Sequence, residues 1–87
     1  MFVIAMYDIG GKRVGKALKI CRKYLNWIQN SVFEGELSKA NLEKLKVDMQ
    51  KIMDFEEDSF ALYILRDTKY STREIIGLKK GGAELII

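Results

Sequence analysis

An unbroken apolar run over residues 2–7 stops at Asp8, and Gly10 and Gly11 follow almost at once. No other feature constrains the fold as much. The run is too short for a typical helix, yet rich enough in apolar residues for a central strand covered on both faces. The glycines break the pattern as a strand-to-helix turn requires. Beyond them the period changes, and Val14, Ala17, Leu18, Cys21 and Leu25 share one face of a helix expected over residues 12–24. A strand feeding a helix through so short a turn calls for a layer of helix packed on sheet.

The rest of the chain extends that pattern. Residues 27–37, WIQNSVFEGEL, are rich in aromatic and β-branched side chains, and Gly35 is expected to form a bulge or bend. The pattern fits a bent strand and a tight hairpin equally. Ser38 is the expected N-cap of a second helix, although Asn41 stands where a capping box would have Glu or Gln. That helix places Leu42, Leu45, Met49, Ile52 and Met53 on one face, with most of its charges on the other. DFEED (residues 54–58) reads as a solvated acidic loop without the spacing of an EF-hand. Residues 59–65 form a second apolar strand, and 75–78 and 84–87 are shorter strand candidates flanking KKGG.

With 87 residues, no proline, no repeat and no linker, the expectation is one domain spanning residues 1–87. Its expected class is α+β, two helices on one face of a mainly antiparallel sheet, most commonly the ferredoxin-like βαββαβ sandwich. A domain this small gains stability by oligomerising, so a homodimer is expected. No run approaches the ~20 apolar residues of a membrane span. The start also lacks the blocks of a signal peptide, so the chain is read as cytoplasmic, with no membrane partner.

Two compositional facts narrow the chemistry. The chain has no histidine, which removes the commonest general base and the usual nitrogen ligand of transition metals. Its one cysteine, Cys21, excludes an internal disulfide and thiolate zinc sites. A catalytic metal would therefore be hard and oxygen-ligated, Mg2+ or Mn2+. The net charge of +3 and pI near 9.0 suit a polyanionic partner.

Strand alternation puts Asp8 on the face of Phe2, Ile4 and Met6. On residue type alone, Asp8 is a turn-closing acid more readily than a metal ligand. One aspartate makes a poor Mg2+ site, although a two-fold axis near the strand end would bring two copies together. Residues 12–23 carry six basic side chains and no acidic one. Lys12, Lys16, Lys19 and Lys23 form a one-signed stripe that suits a phosphate backbone. GGKR is not a Walker loop, and Ser31 lacks an evident base to make it a nucleophile. Trp27 and Phe33 are aromatic, but no stretch has the Gly-aromatic pattern of the common RNA-recognition strand, and Phe33 reads as core.

YDI at residues 7–9, RV at 13–14, IQNSVFEGEL at 28–37, and EDS at 57–59 before an apolar strand together resemble the second CRISPR-associated protein family. The match is best over residues 1–65. The resemblance implies a ferredoxin-like protomer in a symmetric homodimer, with residues 79–87 reaching across to the partner's sheet. It places Asp8 at a shared Mg2+ or Mn2+ ion and adds Tyr7, Arg13, Ser31 and Phe33 as positions emphasised near that catalytic site. Two roles are implied. One is a metal-dependent endonuclease acting on RNA or DNA. The other is a CRISPR adaptation protein that bridges two copies of the spacer integrase on duplex DNA, which Lys12, Arg13, Lys16, Lys19 and Lys23 would hold. A free-standing metal-dependent endoribonuclease toxin of similar fold shares the look of the first strand. Asn30 replaces the tyrosine that many members have, Trp27 replaces a basic residue, and the turn after YDI is shorter by one basic residue.

Overall fold

The structure, a computed structural model, describes residues 1–66 and 71–78. Its elements are β1 (Phe2–Asp8), a 3-10 turn (Gly11–Arg13), α1 (Val14–Tyr24), β2 (Asn26–Gln29), β3 (Val32–Glu36), α2 (Lys39–Ile52), β4 (Ser59–Leu65) and β5 (Ser71–Gly77). The strands form one sheet in the order β2-β3-β1-β4-β5, every neighbouring pair antiparallel. The first four strands and two helices make the expected ferredoxin-like unit, and β5 widens it by one strand. The candidate at 75–78 is the end of β5, while the strand at 84–87 and the extension at 79–87 lie outside the described residues. Among the described residues, no helix is long and apolar enough to cross a membrane.

β1 is central, but among the described residues only one of its faces is covered by helices. Val3, Ala5 and Tyr7 are buried with Phe33 from β3 and Phe60, Leu62 and Ile64 from β4. Above them lie Ala17 and Cys21 of α1, Leu25, and Leu42, Leu45 and Met49 of α2. Cys21 packs with its sulfur 4.0 Å from that of Met49, in the apolar core. Phe2, Ile4 and Met6, expected to be covered as well, are only half-buried on the second face. Both helices pack on the other, buried side of the sheet.

The helix ends follow local chemistry. The Ser38 hydroxyl accepts the Asn41 backbone N–H at 3.1 Å, capping α2 as expected. The Tyr24 hydroxyl donates to Asp48 at 2.7 Å, joining the helices. Val14 departs from expectation and is 46% exposed, at the first residue of α1 directly after the 3-10 turn.

Residues 26–36 are a hairpin. Gln29 pairs with Val32, leaving Asn30 and Ser31 as a two-residue turn in which Asn30 takes φ 44°, a conformation asparagine tolerates well. The bulge falls at Ile28, where the register shifts between Trp27 and Gln29. Gly35, expected to carry it, stays in register opposite Val3.

Candidate functional site

Asp8 ends β1, exposed, on the same face as Phe2, Ile4 and Met6. The Tyr7 backbone N–H donates to the Ser31 carbonyl at 3.2 Å, drawing the hairpin turn against the strand end. Tyr7, Asp8, Ile9, Val14, Asn30 and Ser31 thereby surround an open depression of about 280 Å³. Asp8 and Ser31 are brought together. Tyr7 also lines the depression, and its ring stacks on that of Phe33, which does not line it, with centroids 6.0 Å apart. Burial raises the Tyr7 hydroxyl pKa.

Arg13 is held by acids from a distant part of the chain. Its Nε donates to Asp58 Oδ2 at 2.7 Å, and its Nη2 donates to Asp58 Oδ1 at 3.1 Å and Glu57 Oε2 at 3.0 Å. Asp58 is fully buried and accepts two backbone N–H groups as well, from Gly10 at 3.1 Å and Asp54 at 2.9 Å. The Arg13 guanidinium and these amides hold the Asp58 carboxyl well below the usual carboxylate range. Asp58 in turn pushes the guanidinium pKa up. DFEED, expected to be a solvated loop, instead closes on itself and delivers Asp58 into the corner that follows Asp8. The Asp58 N–H donates to the Asp54 carbonyl at 2.7 Å, and the Asp58 carbonyl accepts the Leu78 N–H at 2.8 Å. The EDS match pointed to this position; residue type alone did not distinguish Asp58 from its exposed neighbours.

Lys12, Lys16, Lys19 and Lys23 are all exposed on the 3-10 turn and α1, and none forms an ion pair with a described residue. Of the five residues expected on a phosphate backbone, Arg13 alone is tied to carboxylates of described residues.

Among the described residues, no three His, Cys, Asp or Glu side chains cluster in a way that could hold a metal ion. The depression offers one carboxylate, Asp8, beside the neutral oxygens of Asn30 and Ser31. An all-oxygen set of this kind fits Mg2+ or Mn2+, which accept one or two carboxylates and complete their shells with water and phosphate oxygens.

Residues 1–73 match the family described as CRISPR associated protein Cas2. The chain is 49% identical over 87 residues to "CRISPR-associated endoribonuclease Cas2" of Dictyoglomus turgidum, covering all of both chains. It is also 49% identical over 81 residues to the protein of the same name from Thermotoga maritima, covering 93% of each. Among solved structures, one described as "Crystal structure of cas2" superposes with a TM-score of 0.74 at 41% identity, covering 100% of this chain and 98% of that one. The chain belongs to the CRISPR-associated Cas2 family.

Proposed function

We propose that this chain is a divalent-metal-dependent endoribonuclease of CRISPR systems, acting in the cytoplasm as a symmetric homodimer whose two Asp8 carboxylates meet at one Mg2+ or Mn2+ ion. One observation carries the reading: Asp8 continues the sheet face that no described helix covers. Phe2, Ile4, Met6, Ala61 and Leu65 are half-buried on that face, and Tyr63, opposite Ile4, is buried among them. A second copy packed there covers the apolar centre and brings the paired strand ends together. The endoribonuclease names of the relatives support the same reading.

When bound, the ion supplies Lewis-acid stabilisation of the charge that builds on the phosphate oxygens. Asp8 from each protomer holds it. The lysine stripe binds the flanking phosphates and orients the strand by charge alone. Asn30 and Ser31 supply neutral polar groups at the wall of the depression. Tyr7 and Phe33 act as supports, and Arg13 acts through Asp58 as a brace for the corner. With no histidine in the chain, a proton leaving the nucleophile goes to water or to a carboxylate.

A second role, bridging two copies of the spacer integrase on duplex DNA, is favoured by the lysine stripe, which needs no catalysis to hold a backbone. The free-standing toxin reading rests on the first strand alone, whereas the relatives match along the chain. Incubating single-stranded RNA with wild type and with Asp8→Asn, with Mg2+ and with chelator, tests the nuclease reading. Cleavage that needs both Asp8 and the metal supports it; equal cleavage in all arms sinks it.

A further inference from the structure

We propose that Trp27 and the depression beside Asn30 and Ser31 form a subsite for one unpaired nucleobase. This rests on the nucleic-acid reading above and specifies what that site takes.

Trp27 is the largest apolar side chain of β2 and is 56% exposed, so it does not serve the core. It is nevertheless fixed in place. Its indole N–H donates to the Asn30 carbonyl at 2.9 Å, which satisfies its only polar group and restricts the ring's rotation. An aromatic ring held still and left open offers its π face to a partner at little further entropic cost.

The residue that anchors the ring also lines the depression, next to Ser31 and Asp8. The indole is therefore fastened to a wall of the candidate site. The bulge at Ile28, one residue along, is the kind of irregularity that re-aims side chains at a strand edge. It also spoils the β2 edge as a template for another protein strand, which disfavours a peptide as the occupant.

The chemistry of the walls points the same way. Ile9 and the half-exposed Val14 present apolar surface, while Asn30 and Ser31 present an amide and a hydroxyl. Apolar contact with a few hydrogen-bonding groups suits a heterocycle, whereas phosphate is served by the lysine stripe. At about 280 Å³ the depression lies at the small end of ligand pockets, which suits a single base. Bases within a duplex keep their faces stacked and reach such a site only after paying to unstack. Stacking of this kind tolerates any base, so the subsite selects for strandedness over sequence.

Trp27 is the only tryptophan in the chain, so intrinsic emission reports this position alone. The test titrates the full-length protein with a single-stranded RNA, an abasic oligomer of equal length, and a duplex. Binding is followed in parallel by anisotropy of end-labelled forms of each. Base-bearing single strands should quench the emission, while the abasic oligomer and the duplex bind through phosphate and leave it unchanged. Trp27→Ala should lose about 5- to 150-fold in single-strand affinity, and Trp27→Phe should retain most of it. Matching circular-dichroism melts of the variants separate this loss from unfolding. Binding without quenching, equal quenching by the abasic oligomer, or a Trp27→Ala affinity equal to wild type overturns the subsite alone. No binding by anisotropy in any arm overturns the nucleic-acid reading and the subsite with it.

Discussion

The Arg13 guanidinium lies 2.7 Å from Asp58, a fully buried carboxylate 45 residues further along the chain. Through this contact and the Gly10 N–H, one acid fixes the turn between the strand that carries Asp8 and the helix that carries the lysine stripe. The same residue's carbonyl receives Leu78 at the end of β5. The candidate site therefore depends on a residue outside it.

Replacing Asp58 with alanine strands the Gly10 and Asp54 amides and the Arg13 guanidinium without their acceptor. The expected loss is about 3 kcal/mol, at the upper end for a point change, read as a lower midpoint in urea unfolding. The pH dependence has a definite sign. The folded-state pKa of Asp58 is depressed, so its charge contributes stability that is fully present above the unfolded carboxylate value of about 3.9. That contribution is lost as pH falls through the lower folded value. The stability gap between wild type and Asp58→Asn should stay constant from neutral pH to about pH 5 and narrow below pH 4. A gap unchanged at pH 3 would show that the charge is not its source.

Gly77 should not tolerate a side chain. Its φ is 91°, and an added Cβ would run into the carbonyl oxygen of Asp58. Gly77→Ala is expected to cost about 2 kcal/mol or more, combining left-handed strain with displacement of the DFEED turn. An unchanged thermal midpoint would contradict this placement of β5 against the turn.

The outline of the fold was legible because its signals are local. Phe2–Asp8 and Ser59–Leu65 are apolar runs of strand length, and Leu42, Leu45 and Met49 repeat at helical spacing. The corner was not legible. Asp58 sits in an acidic run that looks solvated, and its partner Arg13 is distant in sequence, so neither residue announces the pairing. Val14 shares the helical face of the buried Ala17 and Cys21, yet it stands at the very start of α1, directly after the 3-10 turn, where it stays exposed. Gly35 drew the bulge prediction by residue type, while the actual bulge at Ile28 carries no glycine signal. Asp8 was ambiguous by composition alone, because its significance depends on which sheet face lacks a helix.

The lysine stripe should act by charge alone. Lys16→Ala and Lys19→Ala are each expected to weaken oligonucleotide binding uniformly across sequences. Each should flatten the slope of log K against log salt concentration by about 0.7, the value for a single-strand phosphate contact. A sequence-dependent loss, or an unchanged slope, would place these lysines off the backbone path.

The central claim is that two Asp8 carboxylates serve one ion, and mixed dimers test it most directly. Wild type and Asp8→Asn, co-refolded in equal amounts, assort at random into dimers, of which about one quarter keep both carboxylates. Mg2+-dependent cleavage of single-stranded RNA should then fall to about one quarter of that of an equal total amount of wild type, and follow the square of the wild-type fraction across other mixtures. A linear fall, to about one half at equal mixing, would mean that each protomer carries a complete site and would contradict the shared ion.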